Sequence, residues 1–549
     1  MTGLMMDYPL TLTHILERSA KLYPRKEISS RLGDRSMHRY TYADFYARVH
    51  RLAHVLQQLG VKPGDRVGTL CWNSYRHLEL YFAVPCAGAV LHTLNLRLPS
   101  DQLSYIINHA EDRVIFVDAS LLSILEPVRS ELKSVRELVV LDDAGARSDD
   151  GPGGYESLLA SAPAQPYSWP ALEENAAAAT CYTSGTTGHP KGVLYTHRSL
   201  VLHSYGICMA DTFALSERDT ILQLVPMFHA NGWGIPFAGV MTGSRLVFSG
   251  RQLQSADIAS LIQDEHATFT AGVPTLWMSL YSYLESNPHD ISGLRTIACA
   301  GSALPRQFIE LYQKKYGIQF MLAWGMTETT PIATVTSLKA DLAQLPDKER
   351  FDLLARHGFP LAGVDVRIIG DTGNELAWDG VTMGELQVRG PWITSGYYND
   401  PRSDQAFMDG WFRTGDVATI DAEGYIQIMD RTKDLVKSGG EWISSVDLEN
   451  AIMAYPKVME AAVIGVFHPK WQERPLACIT PLPQYKDEIS KQEVLDFLAS
   501  RVAKWWLPDD IVFVDAVPKT SVGKFNKRAL RERFKDYKLP GADATSAGI

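Results

Sequence analysis

Between residues 66 and 323 the sequence alternates apolar runs with amphipathic stretches, and this alternation restricts the fold more than any other feature. Apolar residues recur at helical spacing over 42–59 and predict a helix, and a turn then leads into an apolar run that predicts a buried strand at Arg66–Leu70. The pattern returns downstream: it predicts strands at 113–118, 268–273, 296–300 and 318–323, and helices at 256–266, 275–284 and 305–316. Strands and helices that alternate at this spacing predict α/β layers with largely parallel sheets.

The pattern changes after about residue 358, where shorter, glycine-rich segments predict a β-rich unit. Beyond Asp430 the sequence predicts a smaller α+β unit, with helices at 445–454 and 491–505 and strands at 461–467 and 477–481. The segment 142–170 is rich in Gly, Ala, Ser and Pro and is expected to be an irregular surface excursion. The tail after Leu539 is expected to be disordered.

Composition and length narrow the class of protein. A chain of 549 residues is too long for one compact core, so we expect two or more domains. The net charge of −10, without a basic block, argues against nucleic acid as a partner. The six cysteines are scattered without a CxxC pair, which is typical of reduced thiols in a cytoplasmic protein rather than a zinc site or a disulfide framework. No run approaches the ~18 apolar residues of a transmembrane segment.

Residues 182–193 read Tyr-Thr-Ser-Gly-Thr-Thr-Gly-His-Pro-Lys-Gly-Val and are typical of a loop that binds a polyphosphate. Glycine lets the backbone close on a ligand, while hydroxyls, backbone N–H groups and one ammonium replace its lost hydration. A Walker A loop is excluded, because Pro190 and Gly192 flank the lysine. A Ser/Thr/Gly cluster by itself is usually a surface linker, but the fixed order with Pro-Lys-Gly argues against that alternative.

This loop and four further stretches resemble the signatures of the adenylate-forming superfamily, which includes acyl-CoA synthetases, peptide-synthetase adenylation domains and firefly luciferase. The further stretches follow in the order of the family: Trp-Gly-Met-Thr-Glu-Thr at 324–329, Trp-Phe-Arg-Thr-Gly-Asp at 411–416, Asp-Arg-Thr-Lys-Asp at 430–434, and Pro-Lys-Thr-Ser-Val-Gly-Lys at 518–524. The resemblance implies a ligase that uses ATP, Mg²⁺ and coenzyme A. It also implies a large N-terminal adenylation domain, residues 1–432, and a small mobile C-terminal domain, residues 433–549.

The resemblance assigns most of the signature residues to ATP and magnesium. Glu328 is a hard oxygen ligand suited to Mg²⁺, and Thr183 is placed beside it as a second metal and catalytic residue. Asp416 can accept from both ribose hydroxyls, although on its own it reads as a turn aspartate that follows an aromatic strand. The ring of Trp324 offers a wall for adenine. The nucleotide-binding set is Thr183, Ser184, Gly185, Thr186, Thr187, Gly188, Lys191, Gly301, Ala303, Trp324, Gly325, Met326, Thr327, Asp416 and Arg431.

Two lysines and one short segment of the small domain receive roles only through the resemblance. Lys433 stands at the hinge about which the small domain turns between half-reactions. Lys524 is a catalytic point charge that bridges the substrate carboxylate and the α-phosphate. Either lysine would otherwise read as a solvated surface residue. The face that closes over the pantetheine channel includes Ser438, Gly439, Gly440, Glu441 and Trp442.

The acid is expected to bind behind the segment 226–234. His229 is assigned to the reacting carboxylate and Trp233 to a gate, with Gly301 and Trp324 completing the pocket; a packed core turn is the alternative interpretation. No acidic residue occurs in 227–236, which argues against amino-acid substrates, because their ammonium group would have no partner.

Segments 73–79, 105–112 and 438–445 resemble bacterial medium- and long-chain fatty acyl-CoA synthetases and 3-methylmercaptopropionate CoA ligases. Asn95-Leu96-Arg97 and the glycines on either side of Trp233 depart from those relatives, so the acid stays open. We expect a homodimeric ligase for a medium- or long-chain fatty acid, with residues 1–12 as an arm that crosses to the partner. The alternatives are a ligase for 3-methylmercaptopropionate or another short or aromatic acid, an acyl-AMP ligase that loads a carrier protein, a luciferase-like oxygenase and a non-catalytic binding protein.

Overall fold

The structure is a computed structural model that describes residues 3–142, 154–183, 189–302, 304–432, 434–438, 441–519 and 525–540. Its α-helices, in chain order, are α1 Leu12–Leu22, α2 Tyr42–Gln58, α3 Tyr75–Cys86, α4 Ser100–Ala110, α5 Leu122–Leu125, α6 Tyr155–Ser161, α7 His197–Cys208, α8 Ile235–Thr242, α9 Ser255–Asp264, α10 Pro274–Ser286, α11 Arg306–Tyr316, α12 Asp347–Leu354, α13 Ser445–Met453, α14 Lys491–Ala499 and α15 Lys527–Arg533.

The strands up to residue 335 are β1 Glu27–Arg31, β2 Met37–Thr41, β3 Arg66–Leu70, β4 Val90–Thr93, β5 Asp112–Asp118, β6 Glu137–Leu141, β7 Ala177–Tyr182, β8 Gly192–Thr196, β9 Thr220–Gln223, β10 Arg245–Phe248, β11 Phe269–Gly272, β12 Thr296–Cys299, β13 Gln319–Gly325 and β14 Ile332–Val335. The later strands are β15 Phe359–Pro360, β16 Asp365–Ile369, β17 Gly384–Arg389, β18 Phe407–Met408, β19 Trp411–Ile420, β20 Ile426–Arg431, β21 Val436–Ser438, β22 Glu441–Ile443, β23 Val458–His468, β24 Gln472–Pro481 and β25 Asp510–Phe513.

Two largely parallel sheets form the body of the large domain. One has nine strands in the order β15-β14-β13-β12-β11-β9-β10-β1-β2, and the other has six in the order β6-β5-β3-β4-β7-β8. In the second sheet β7 runs parallel to β4, while β8 turns back antiparallel and lies at the edge. The largest apolar core joins residues of both sheets with those of α2 and α3. The predicted α/β layers are confirmed.

The later part of the chain contains two smaller five-stranded sheets. The first has the strand order β16-β17-β19-β18, with β20 paired to β19, and forms the predicted β-rich unit. The second has the strand order β22-β21-β24-β23, with β25 paired to β24, and belongs to the small α+β unit. The latter unit has apolar cores of its own, which include Leu448 of α13 and Ile479 of β24.

Three local predictions differ from the structure. The helix predicted at 491–505 ends at Ala499, because the N–H groups of Arg501 and Val502 both turn back to the carbonyl of Leu498; a separate 3₁₀ turn follows at Lys504–Trp506. Part of the predicted irregular segment is helix α6, which is held by the buried Tyr155. Asp416 lies inside the long strand β19 rather than in a turn after it. The predicted tail lies mostly outside the described residues.

The six cysteines are free thiols, five of them buried. Among the helices of the described ranges, none combines the length and the apolar character that crossing a bilayer requires.

Candidate active site

The expected site residues lie where parallel strands of both sheets end. Thr183 directly follows β7, and Trp324 and Gly325 close β13. Gly301 follows β12 by two residues, and segment 226–234 comes soon after β9. Ligands of open α/β sheets bind outside the carboxyl ends of the strands, so the topology places the segments of each sheet at one edge. Contacts between the two sheets, from Cys181 to Asn231 and from Tyr195 to Thr327, bring the two edges together.

The two residues that flank the predicted phosphate-binding loop, Thr183 and Lys191, are held against each other. Strands β7 and β8 pair up to Tyr182 and Gly192. Beyond that pair, the Thr183 N–H donates to the Lys191 carbonyl at 2.9 Å, and the Lys191 N–H donates to Thr183 Oγ1 at 3.2 Å. Gly192 lies under the ring of Tyr182, where a Cβ atom would come within 2.9 Å of that ring. The predicted loop residues Ser184, Gly185, Thr186, Thr187 and Gly188 lie outside the described residues.

Glu328 is a buried carboxylate held by Tyr397. The Tyr397 hydroxyl donates to Glu328 Oε1 at 2.7 Å, and the Thr394 N–H donates to the Glu328 carbonyl at 2.8 Å. Burial raises the pKa of Glu328, and the Tyr397 hydrogen bond and the charges of Arg431 and Lys191 act in the opposite direction. The Lys191 ammonium also lies 4.3 Å from the centre of the Tyr397 ring, a cation–π distance. Tyr397 thus joins the cation of the phosphate loop to the expected magnesium ligand.

Asp416 is fixed by two donors from different parts of the chain. Trp324 Nε1 donates to Asp416 Oδ2 at 2.8 Å, and Arg431 Nε lies 3.2 Å from Oδ1. Asp416 and Arg431 are also direct partners in the pairing of β19 with β20. Just before them, Gly415 has φ +71°, and the β17–β19 pairing is irregular there. This bulge turns the carboxylate toward the indole.

The backbone at 325–327 is held tightly against neighbouring segments. A Cβ atom on Gly325 would lie 1.9 Å from the Pro331 carbonyl oxygen, so only glycine fits. The Met326 N–H donates to that same oxygen at 3.1 Å. The carbonyl of the buried Thr327 accepts from the Tyr195 hydroxyl at 2.7 Å. Tyr195 belongs to β8, so the strand that leaves the phosphate loop also supports Thr327.

The segment 226–234, behind which the acid is predicted to bind, contains a short left-handed turn. The φ angles from Ala230 to Gly234 are all positive, between +42° and +72°. His229 precedes this turn, and its N–H donates to the Pro226 carbonyl at 3.0 Å. Trp233 is buried among apolar residues. Asn231 Oδ1 accepts from Cys181 Sγ at 3.1 Å, so the turn packs against β7 just before Thr183.

The small-domain residues have contacts within their own unit. Ser438 Oγ accepts from Arg474 Nη1 at 3.0 Å, and the Lys437 ammonium lies 4.8 Å from the ring centre of Trp442. Of the predicted nucleotide residues, the structure links Thr183 to Lys191, Lys191 to Glu328 through Tyr397, and Trp324 and Arg431 to Asp416. It gives no such grouping for Ser438 and Trp442. Glu441 is part of β22. The predicted residues Ala303, Lys433, Gly439, Gly440 and Lys524 lie outside the described residues.

The two buried carboxylates of the site, Asp416 and Glu328, fit ATP and magnesium. Asp416 keeps lone pairs for ribose hydroxyls, because a carboxylate accepts about four hydrogen bonds and two donors are present. Among the described residues no group of three or more His, Cys, Asp or Glu forms a metal cage. A single buried carboxylate suits Mg²⁺, which takes one or two protein carboxylates and fills its shell with phosphate oxygens and water.

Tyr397 is a site residue that sequence reasoning missed. It lies in Gly-Tyr-Tyr at 396–398, between the β-rich strands, where no apolar period assigns it to a core. The sequence offers only a tyrosine beside a glycine in a polar loop, and that pattern is too common to predict a site residue. Its partner Glu328 is 69 residues away in the chain.

Comparison with known proteins agrees with this geometry. Residues 16–398 match the family model of the AMP-binding enzyme, and residues 447–524 match that of the AMP-binding enzyme C-terminal domain. The chain is 48% identical over 535 residues to a long-chain-fatty-acid–CoA ligase of Thermus thermophilus, an alignment that covers 97% of each chain. It is 42% identical over 542 residues to a 3-methylmercaptopropionyl-CoA ligase of Ruegeria lacuscaerulensis, covering 98% of this chain and 99% of the relative.

A solved structure extends the similarity to three dimensions. The ATP-bound structure of MatB from Rhodopseudomonas palustris superposes with a TM-score of 0.82 at 28% identity, covering 96% of this chain and 100% of that chain. The fold is therefore that of the adenylate-forming enzymes. Two matching family models, full-length relatives and a common fold lead to one conclusion: the chain belongs to the family of AMP-binding enzymes.

Proposed function

We propose that this chain, an ATP-dependent acid–CoA ligase, activates a medium- or long-chain fatty acid. The acid reacts with ATP to give an acyl-adenylate and pyrophosphate, and the acyl group then passes to CoA with release of AMP. The observation that carries the choice of acid is the buried turn at Trp233, which presents apolar side chains and no acidic residue over 227–236. The full-length similarity to a long-chain ligase supports the same substrate class.

Activation is needed because a carboxylate cannot expel oxide. When a carboxylate oxygen attacks the α-phosphorus of ATP, the P–O bond to pyrophosphate breaks, and the product carries AMP as a good leaving group. Asp416, oriented by Trp324 and Arg431, binds the ribose hydroxyls and fixes the position of the α-phosphate. Lys191 and the donors of the phosphate loop hold the departing pyrophosphate.

Glu328 and Thr183 are the proposed magnesium ligands. Bound Mg²⁺ would neutralise charge on the phosphate oxygens. Tyr397 keeps the Glu328 carboxylate in one orientation, and its hydrogen bond favours the ionised form against burial. His229 is proposed to border the reacting carboxylate at the start of the left-handed turn.

The second half-reaction is proposed to use the other face of the small domain. The domain turns about Lys433, which moves Lys524 away from the α-phosphate. The segment 436–442 then shapes the channel through which the CoA thiol reaches the acyl carbon. The sulfur attacks that carbon, AMP leaves, and the thiol proton is lost to solvent.

The test is AMP formation from ATP and Mg²⁺ over a panel of acids, with and without CoA. The panel includes fatty acids from C4 to C18, 3-methylmercaptopropionate, benzoate and cinnamate. CoA-dependent turnover that is highest on C8–C18 acids is expected. A preference for 3-methylmercaptopropionate, as in the name of the Ruegeria relative, would overturn the choice of acid but not the ligase. Adenylate that accumulates without a response to CoA would indicate transfer to a carrier protein.

We also propose that the enzyme is a cytoplasmic homodimer. Leu4, Met5 and Met6 are at least 90% exposed, so the described part of the chain does not cover this apolar arm. A second copy would bury it. Sedimentation equilibrium of the wild type and of a Met5→Asp/Met6→Asp variant tests this: a dimer that becomes a monomer supports the arm, and a wild-type monomer contradicts the proposal.

A further inference from the structure

We infer that Gln223 and Asn73 are positioning residues that determine which acids the enzyme accepts, because they brace the left-handed turn Ala230–Gly234. The inference rests on the proposed function, since it takes this turn as a wall of the acid pocket. Neither residue belongs to the five signature motifs of the superfamily, although Asn73 opens the segment 73–79 that resembles fatty acyl-CoA synthetases.

The turn needs support because its backbone is strained. Ala230, Asn231 and Trp233 have φ of +42°, +50° and +61°. For an L-residue the left-handed region costs roughly 1–2 kcal/mol, somewhat less for asparagine. Strained conformations of this kind persist only where the surroundings determine them. The contacts around the turn should therefore show what fixes it.

Gln223 supplies the first support. It is the last residue of β9 and is 2% exposed. Its side-chain nitrogen Nε2 donates to the Gly232 carbonyl at 3.2 Å, in the middle of the turn, and to the Val225 carbonyl at 2.7 Å. A rigid strand end therefore holds the turn through one amide group.

Asn73 supplies the second support, from the other sheet of the large domain. It lies three residues after β3, and its Nδ2 donates to the carbonyls of Gln223 at 3.1 Å and Val225 at 2.9 Å. Its Oδ1 accepts from the Met227 N–H at 2.7 Å. Asn73 thus fixes the stretch that connects β9 to the turn.

The two glycines of the turn fit this brace. A Cβ atom on Gly232 would come within 2.8 Å of Gln223 Nε2, and one on Gly234 within 2.6 Å of His203 Nδ1. His203 in turn accepts the Ile332 N–H at Nε2 at 3.1 Å. Gly232 and Gly234 therefore let the turn lie directly against two buried side chains, one on each side of Trp233.

The brace sets the direction of the Trp233 side chain, because the residues on both sides of Trp233 are fixed. If the Gly232 carbonyl is released, the turn can relax toward φ values that L-residues prefer, and Trp233 moves with it. The nucleotide residues Asp416 and Glu328 have separate partners, namely Trp324, Arg431 and Tyr397. Loss of the brace should therefore change the choice of acid and leave ATP binding nearly unchanged.

The test replaces the donor and keeps the shape. Gln223→Met has a side chain of similar length without a hydrogen-bond donor. We expect the ratio of kcat/KM between C8 and C16 acids to change by about fivefold, the equivalent of one hydrogen bond of about 1 kcal/mol, with KM for ATP within twofold of wild type. Gln387→Met is the matched control, because Gln387 is a fully buried glutamine of the β-rich unit.

A second variant tests the same brace without removing Gln223. Gly232→Ala pushes a methyl group against the Gln223 amide, so it should shift the acid ratio as well. If both changes act through one contact, the double variant shifts the ratio by clearly less than the product of the single shifts. Multiplicative shifts would contradict a shared contact and overturn the inference.

Binding of unreactive C8 and C16 acyl-sulfamoyl adenosines, measured by calorimetry, gives a readout without turnover. A wild type that binds neither compound would overturn the proposed function and the inference together. A wild type that binds them, with an unchanged C8-to-C16 ratio in folded Gln223→Met and Gly232→Ala, would overturn the inference alone. A ratio that changes in these variants and not in Gln387→Met supports it.

Discussion

At the scale of single residues, the site depends on carboxylates whose partners come from distant parts of the chain. Asp416 is oriented by Trp324, 92 residues earlier, and Glu328 by Tyr397, 69 residues later. Motifs identified Asp416, Glu328 and Trp324 from sequence. They did not show that the indole N–H and the tyrosine hydroxyl hold these carboxylates, because such pairs depend on how β13, β19 and the 391–398 loop pack together.

Trp324→Phe should weaken nucleotide binding about tenfold. The change keeps an aromatic ring but removes the indole N–H that orients Asp416, and a hydrogen bond to a charged group contributes roughly 1.5–3 kcal/mol. Calorimetric titration with AMP measures the loss. Trp277→Phe is the control, since the buried Trp277 Nε1 has no hydrogen-bond partner among the described residues. Equal losses in both variants would mean that the indole N–H does not act through Asp416.

Tyr397→Phe should shift the acidic limb of the pH profile for adenylation to higher pH. The Tyr397 hydroxyl lowers the pKa of Glu328, which burial raises, so its removal raises that pKa further. Magnesium requires the ionised carboxylate, and activity should therefore appear only at higher pH and higher magnesium concentration. The profile of kcat/KM for ATP against pH shows the shift. Tyr398→Phe is the neighbouring control. A pH profile of Tyr397→Phe that is identical to that of the wild type would contradict the assignment of Tyr397 as the partner of Glu328.

At the scale of elements, hydrophobic periodicity predicted strands and helices correctly where an apolar face repeats along the segment. β3 was predicted with its observed bounds, and α11 within one residue. The helix at 491–505 was predicted too long, because apolar Val502, Trp505 and Trp506 lie beyond the point where the backbone bonds close on Leu498. The left-handed turn at 230–234 was also beyond prediction. Glycines permit positive φ there, but the buried contacts that hold the turn, from Gln223 to the Gly232 carbonyl and from Cys181 to Asn231, are visible only in the structure.

Helix α13 carries a prediction about stability. Its N-terminus meets Asp430, which accepts the Ser445 N–H at 2.8 Å. Burial, assisted by the charge of Asp430, raises the pKa of the nearby Asp447 to about 6. A pKa raised on folding stabilises the protein below the unfolded value, near 3.8, and this contribution is lost as the pH rises through 6.

Asp447→Asn should therefore stabilise the protein more at pH 8 than at pH 5. The difference in unfolding free energy between the two pH values should be about 1.4 kcal/mol, because pH 5 lies about one unit below the folded pKa of about 6 and one pKa unit corresponds to about 1.4 kcal/mol. Chemical denaturation of wild type and variant at both pH values measures it. Asp496→Asn, at an exposed position of α14, is the control. A variant that is equally stabilised at both pH values would show that Asp447 does not titrate as described.

At the scale of the whole molecule, the two parallel sheets open their carboxyl ends toward one cleft. Sequence reasoning identified the layers, the β-rich unit and the small α+β unit, because each follows from local pattern and motif order. The relative placement of the sheets depends on long-range packing of side chains, which no local pattern contains. The proposed division at Lys433 and its movement stay predictions.

Lys524→Ala should abolish adenylation and largely spare the second half-reaction. In the proposed mechanism the lysine acts on the α-phosphate and then leaves the site before CoA attacks. Pyrophosphate release measures the first step, and CoA consumption with a preformed acyl-adenylate measures the second. Lys519→Ala is the control, because this lysine of the same motif pairs with Glu460 at 2.6 Å. Equal losses in the two half-reactions would contradict the assignment of Lys524.

The left-handed turn also limits how this enzyme can evolve. Within Ala230–Gly234 most substitutions are disfavoured for one of two reasons. The new side chain must adopt a positive φ, or it would clash with the buried side chains of Gln223 and His203. An enzyme lineage that changes its acid substrate therefore has few tolerated substitutions within the turn itself. Its adaptive substitutions should accumulate on the residues across the pocket, and a change at either glycine of the turn should require a compensating change at Gln223 or His203.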